Sequence, residues 1–388
     1  MIKNTIQVYK INEDEFNQIG EIDDAKSIIV ESSFRDIGSF DITVPLTQKN
    51  LELLKENNVL SFGDGKAYFI ECLSYDTSES DGVMQLILRV KGRDAKKILT
   101  QRVLKSTVSF EKKYSSEIIY SMAAKNLIYP TDSKRKYTYT AILDDDGNPM
   151  STYPQIGKYY SYFQKTGGDL LESIEKVAED GGIGFDFDFI PEKETFAFKV
   201  LKSVDRSIQG TDEFVCLSTD MESILNSVFN YDKSNYKSVA YVAGEGEGSE
   251  RKVVIAGDNT SERMERYETY IDARDLQSTK YEGDTTIQLT DEEYELLLEQ
   301  RGIEKLQDFK EITNYETDIK TFGSQQYTFG VDYNLGDTIL IEDNNLGITI
   351  SAFISSLQES WENNEYKLSL TIGYSNLTIL DKIKIYSK

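Results

Sequence analysis

Apolar and polar residues alternate with a period of two through much of the first hundred positions, the spacing of half-buried strands. Thr5–Lys10, Ser27–Phe34 and Ser39–Val44 read as strands, the last two separated by Asp36-Ile-Gly38. Pro45-Leu-Thr47 opens a short helix in which Leu51, Leu53 and Leu54 supply an apolar side, and Asn57-Asn58 stops it. Gly63-Asp-Gly65 turns the chain into a strand over Lys66–Leu73, Ser78–Gly82 is a loop, and Met84–Lys91 returns as the other arm of a hairpin. Gly92-Arg-Asp94 then leads into a short helix carrying Ile98 and Leu99. Such a run predicts a small barrel or curled sheet with two helical caps.

From about residue 105 the period becomes mixed. Ser115 is placed to cap a helix with Ile118, Ile119, Met122, Ala123 and Leu127 at helical spacing. A tyrosine-rich stretch follows, through Lys134–Thr140 and Tyr159–Phe163. A second helix shows one stripe of Leu170, Leu171, Ile174, Val177 and Ala178, ended by Gly181-Gly182. The next hairpin alternates cleanly, with Phe185, Phe187 and Phe189 on one face and Asp186 and Asp188 on the other. Phe196, Phe198 and Val200 return on the buried side.

Strands dominate again towards the end. Tyr236–Ala243, Arg266–Asp272, Thr285–Leu289, Asp337–Glu342, Ile348–Ser355 and Lys367–Ile372 are the clearest. Thr290-Asp-Glu-Glu293 is a capping box opening a helix to about Phe309, with Gly302 predicted to kink or split it. Fewer than ten prolines and no low-complexity linker separate these parts, so the domains are expected to pack on or interrupt one another. The class is α+β and β-rich.

Charge and composition narrow the chemistry. The chain of 388 residues carries 43 Lys+Arg against 67 Asp+Glu, a formal charge of −24. Binding to nucleic acid or an anionic lipid surface depends on clustered Lys and Arg, so sequence-specific nucleic-acid binding is not expected. Histidine is absent, which removes every His-based triad, metal site and general base. Cys72 and Cys216 form no C-x-x-C pair and read as buried thiols. No run reaches the roughly 18 apolar residues of a membrane helix, and the N-terminus lacks a signal-peptide core, which predicts synthesis in the cytoplasm.

Four groups of residues invite a chemical reading. Asp186 and Asp188 lie about 7 Å apart by strand rise, within reach of a glycosidase pair. The plainer reading is a solvated outer face opposite three buried phenylalanines. Asp144-Asp-Asp-Gly-Asn148 lacks the alternating oxygen ligands and distal Glu of a calcium loop, and reads as a hairpin turn. Gly244-Glu-Gly-Glu-Gly248 lacks the Lys-Ser/Thr of a phosphate loop, and its glutamates would repel a phosphate. The 25 tyrosines against one tryptophan favour protein interfaces over sugar platforms. No catalytic, cofactor or metal residue is assigned.

Three segments, in order, carry a resemblance. They are Lys91-Gly-Arg-Asp94 with Ile98, Leu99 and Arg102; Asn230-Tyr-Asp232 followed by Ser238–Gly248 and Arg251; and Gly330-Val-Asp-Tyr-Asn-Leu-Gly-Asp-Thr338. Together they resemble the siphophage tail-tip or baseplate hub family, including related phage-tail-like particles, across nearly the whole chain. The resemblance implies two small β-barrel tube-like domains with inserted α+β domains, assembled as a homotrimeric ring that joins the tail tube to the tip and lines or gates the DNA exit channel. It divides the chain into a first barrel (1–104), an α+β middle domain (105–210), a second barrel (211–257 and 315–388) and an inserted helical segment (258–314). Strands of 211–257 are expected to pair with strands of 315–388. By the same resemblance Gly92, Arg93, Asp94, Gly244, Gly246, Gly248, Arg251, Gly336 and Asp337 are structural signatures.

The implied partners are tail-tube proteins above and tip, receptor-binding or lytic proteins below, with the protein located at the virion tail tip. Lytic activity is expected in another protein, because the chain ends soon after the last strand. The acidity would let DNA pass without sticking to a lumen, or would only keep the subunit soluble. A cell-wall glycan-degrading or glycan-binding protein and a surface adhesin are the competing readings.

Overall fold

A computed structural model describes residues 2–80, 83–210, 213–248, 251–282, 285–321, 326–362 and 365–373. Its first part runs β1 (Ile6–Ile11), β2 (Phe16–Ile22), β3 (Ser27–Ser33), β4 (Ser39–Pro45), α1 (Gln48–Leu53), β5 (Val59–Ser61), β6 (Tyr68–Ser80), β7 (Val83–Asp94) and α2 (Lys97–Thr100). The strands lie antiparallel in the order β3-β4-β7-β6-β5-β1-β2. Alternate residues such as Val30, Phe40, Ile42, Leu88 and Val90 share one core, which is why the period-two pattern was legible. Thr47 caps α1 by accepting the Asn50 N–H at 3.2 Å. The loop expected at Ser78–Gly82 is mostly strand, since β6 runs to Ser80; residues 81 and 82 lie outside the described residues.

The middle part contains β8 (Thr107–Tyr114), α3 (Ser115–Ala123), β9 (Thr140–Ala141), β10 (Tyr159–Thr166), α4 (Leu170–Asp180), β11 (Ile183–Ile190) and β12 (Thr195–Lys202). Tyr114, not Ser115, occupies the cap position of α3; the Glu117 carboxylate accepts its N–H at 3.0 Å. Asp169 caps α4, and Gly182 takes the left-handed conformation after it. The predicted hairpin pairs Phe185 with Val200, Phe187 with Phe198 and Phe189 with Phe196. The helices and this hairpin share a core with Tyr9, Phe16 and Phe69 of the first part, on the side of its sheet away from the first core.

The last part contains β13 (Cys216–Ser218), β14 (Ile224–Asp232), β15 (Val239–Ala243), β16 (Val253–Gly257), β17 (Glu268–Asp272), β18 (Thr279–Glu282), β19 (Thr285–Gln288), α5 (Asp291–Leu306), β20 (Ile312–Ile319), β21 (Thr338–Asp343), β22 (Ile348–Glu362) and β23 (Glu365–Gly373). Residues 374–388, expected to complete the second barrel, lie outside the described residues. Strands of 211–257 do bond strands of 315–388: β13 pairs with β21, and β14 with β20 beside β23. The Tyr236–Ala243 strand does not take part. As β15 it pairs with β16 and β17 in a separate sheet under α5, and this sheet straddles the expected limit at residue 257. Asp232 faces Ile312 across the β14–β20 ladder, so everything between them leaves and re-enters through one strand pair. Lys237 N–H to Phe309 O (3.0 Å) and the Lys233–Glu311 ion pair (3.2 Å) close that neck.

Among the described residues there is no closed barrel: the strands expected to form two barrels lie in one 13-stranded sheet with two cores. The long strand β22 explains the fusion. Along one edge its first half pairs with β21 and its second half with β3, while β23 takes the other edge. A bulge between Ile354 and Ser356 separates the two registers. The pairing with β3 uses an edge that each half would otherwise need to close on itself.

Candidate functional site at a buried charged junction

Gly92, Arg93 and Asp94 end β7 where the first half-sheet meets the middle part. A Cβ on Gly92 would lie 1.8 Å from the Phe69 carbonyl oxygen, so the β6 bulge beside it tolerates only glycine. Arg93 clasps Glu71 on β6 through two hydrogen bonds of 2.7 and 2.9 Å, and Lys97 reaches the same carboxylate at 3.0 Å. The Arg93 hydrogen bond, aided by Lys97 and opposed by partial burial, holds the Glu71 pKa at about 2. The Asp94 carboxylate turns inward instead. It accepts the N–H groups of Gly38 (2.8 Å) and Lys96 (2.9 Å), tying the loop before β4 to the start of α2.

Beneath Asp94 lies a buried ionic cluster. The Lys96 ammonium is fully buried, donates to the Ser33 carbonyl at 2.6 Å and stands 3.5 Å from Asp94. Asp186 of β11 is buried too, and Lys66 binds it at 2.8 Å. Burial works to raise the Asp186 pKa, but the fields of Lys66 and Lys96 hold it below the ordinary value. Asp94 is pushed up to about 6, first by burial and then by the nearby Asp186, against the pull of Lys96. Asp186 is therefore no solvated outer residue. It faces the first half-sheet, whereas Asp188 stays half-exposed and pairs with Lys199 at 2.5 Å. The two carboxylates do not flank a shared cleft.

Phe34 is the hub of the same junction. Its ring meets Phe353 edge-on at 5.3 Å, and its carbonyl accepts the Phe185 N–H at 3.2 Å. Gly336, with φ at +93°, lies so close that a Cβ would stand 2.1 Å from the Phe34 ring. Asp337 follows, accepting from Arg206 (2.9 Å), Asn334 N–H (2.9 Å) and Val204 N–H (3.3 Å). Arg35 stacks over Phe353 and donates to the Ile183 carbonyl at 3.0 Å. Both ends of the chain and the middle hairpin thus converge on Ser33–Arg35. Lys66, Lys96 and Phe34 were not singled out from sequence, because nothing in their local pattern marks a lysine for burial.

The model of the Siphovirus ReqiPepy6 Gp37-like protein family matches residues 5–374. The chain belongs to this family. Its fold is shared by the tail protein from Neisseria meningitidis MC58 (TM-score 0.53, 12% identity, 96% of each chain). It is shared as well by the 43 kDa tail protein of prophage MuSo2 from Shewanella oneidensis (TM-score 0.54, 13% identity, 95% of this chain and 98% of that one). The prophage tail protein gp18 from Listeria monocytogenes EGD-e aligns over 99% of both chains, with a TM-score of 0.51 and 12% identity. No curated protein matches the sequence.

In this siphovirus family member the remaining signature residues stand apart from the junction, in the excursion between β14 and β20. Arg251 donates to the carbonyls of Ala243 (2.5 Å) and Gly244 (2.9 Å) and to Asp272 (2.7 Å), stapling β15 to β17. Gly244 leaves room for the Tyr294 hydroxyl, which accepts the Glu245 N–H at 2.8 Å. Gly246 and Gly248 both have positive φ, fitting a tight turn. The Asp144–Gly147 turn borders a cleft of about 900 Å³ with Tyr153, Asp188 and Lys199. Cys72 is exposed, contrary to expectation; Cys216 is buried and its thiol is pushed up to about 11 by that burial. Among the described residues there is no group of three or more potential metal ligands, and no helix is long and apolar enough to cross a membrane.

Proposed function

We propose that this protein is a structural hub of a phage tail or phage-tail-like particle, a homotrimeric ring joining the tail tube to the tip. The observation that carries the reading is the family match over residues 5–374, together with a fold held in common with three tail proteins. The open sheet supports it mechanically. Its two halves share β22, so a load on either half passes to the other through backbone hydrogen bonds and not through a flexible linker. The nine signature residues act as structural parts of this frame: Gly92, Arg93, Asp94, Gly336 and Asp337 at the junction, Gly244, Gly246, Gly248 and Arg251 in the excursion. The domain plan that accompanies this reading has strand-rich units at 1–104 and across 211–235 and 312–373, the middle part between them, and the excursion as an inserted unit.

The polar face of the sheet, with Glu31 on β3, Asp41 on β4 and Glu316 and Asp318 on β20 beyond β22 and β23, is the surface assigned to the DNA channel. A like-charged wall does not retain a phosphate backbone. Sedimentation of the purified chain, with image reconstruction of the particle, tests the assignment. A trimer at the tail tip is expected; a monomer that localises elsewhere on the particle defeats it. The competing glycan reading loses its carboxylate pair, since Asp186 is committed to Lys66. Clearing of host cell walls in a zymogram, lost on Asp188→Asn, would revive it.

A further inference from the structure

The excursion, residues 233–311, leaves the large sheet after Asp232 and returns at Ile312, which face each other across β14 and β20. It has a core of its own, in which Ala240, Val242, Ala256 and Ile271 of its sheet meet Leu297 and Leu298 of α5. Among the described residues, Tyr162 on β10 is the one side chain of the middle part that packs against this core. A unit with its own core and a single two-strand attachment has the build of a hinged body.

The seam between the excursion and the middle part is polar and loosely filled. Lys310 stands 3.5 Å from Glu179 and Asp308 3.9 Å from Lys176, both near the outer limit of an ion pair. The Thr166 hydroxyl reaches the Asp275 carbonyl at 3.4 Å. Lys165 of β10 and Glu304 of α5 also meet here. Burial lowers the Lys165 pKa, with help from Arg301 and Lys176. It raises that of Glu304, opposed by Arg301 and aided by Asp180. Closing the seam therefore withdraws charges from water without a close partner for each. A cavity of about 350 Å³ opens in the same seam, between Leu289, Leu296 and Leu297 on one side and Lys112, Ser161 and Tyr162 on the other. A permanent interface would interdigitate there.

We propose that the excursion is a hinged arm, which undocks from the middle part as one body and swings about the β14–β20 neck. Its closed position is held by exposed ion pairs, which contribute little and weaken with salt. The root of the arm stays ordered through the Lys233–Glu311 pair and the Lys233 ammonium, which lies over the Tyr236 and Tyr267 rings at 4.7 and 5.0 Å. The strand ends at Asp232 and Ile312 absorb the turn. The proposal does not rest on the tail role, because the isolated chain suffices to test it.

Spin labels on Glu192→Cys in the middle part and Glu265→Cys in the excursion, both exposed positions, report the distance between the two bodies in a Cys72→Ser chain. Two distances are expected, the longer one gaining population between roughly 0.05 and 0.5 M salt. Lys310→Glu, which sets like charges across the seam, should raise the longer population about three-fold at low salt. A single distance, unchanged by salt and by Lys310→Glu, would overturn the proposal. If that variant does not fold, the salt series on the labelled chain decides alone. Hydrogen exchange separates swinging from melting. Amides of β15, β16 and β17 are expected to keep their protection in high salt. Their loss together with the longer distance would show local unfolding and defeat the arm.

Discussion

Asp186 and Lys66 show how much one buried residue can depend on another. Removing one partner of a buried ion pair leaves an uncompensated charge and costs about 3–5 kcal/mol, whereas replacing both by apolar groups is often neutral. Asp186→Ala should lower stability by that order in urea unfolding, and Asp186→Leu with Lys66→Met should recover most of it. Titration adds a second check. Asp94, at about 6 against an ordinary 3.8, and Glu175, pushed to about 7 by burial and by Asp36, Asp169 and Glu172, both bind protons more tightly when folded. Their contribution to stability is full at low pH and is lost as pH rises towards 7. Glu71 runs the other way: its contribution is present above 4.5 and lost as pH falls towards 2. The melting temperature is therefore expected to rise from pH 7.5 to about 5 and to fall below about 4, and Glu175→Gln should flatten the first limb.

Among the elements, α5 is the clearest case of packing overruling propensity. Gly302, expected to kink or split it, lies inside one continuous helix from Asp291 to Leu306. A Cβ there would stand 2.3 Å from the Ala256 Cβ and 2.7 Å from Val242. The glycine lets the helix lie close on β15 and β16. Gly302→Ala should gain up to ~1 kcal/mol of helix propensity yet destabilise the protein by about 1–3 kcal/mol through overpacking. Thermal melting decides the sign. Thr290→Ala, which removes the cap at the other end of the same helix, should cost about 1 kcal/mol with no change in packing.

For the whole molecule, the inserted unit is separable by topology. Asp232 and Ile312 are cross-strand partners, so Asn-Gly in place of residues 233–311 should close β14 and β20 as a tight hairpin. The shortened chain is expected to remain folded, with exchange protection retained in β3, β4, β22 and β23. Collapse of that protection would show that the excursion braces the frame through its contacts with the middle part, such as the Thr166 hydroxyl on the Asp275 carbonyl and the Lys310–Glu179 ion pair. If the polar face borders the channel, Glu31→Lys with Glu316→Lys should slow DNA ejection from assembled particles without altering their yield. Unchanged ejection would assign the acidity to solubility.

The sequence alone determined what depends on near neighbours. Alternation placed β3, β4 and the Phe185–Phe189 hairpin because each has one buried face, and Thr290-Asp-Glu-Glu293 placed the start of α5 because a cap is satisfied within one turn. The short strands β2 and β5 were missed: β2 turns polar residues outward along most of its length, and β5 spans three residues. Only the tertiary structure decided that β22 serves both halves of one sheet, that Val239–Ala243 belongs to the excursion, and that Asp186 is buried. The first and last of these depend on what arrives from more than a hundred residues away, and a strand's period is the same whichever neighbour pairs with it. Asp186 has the outward position of a solvated residue; Lys66 and Lys96, brought in from the first half-sheet, turn it into part of the core.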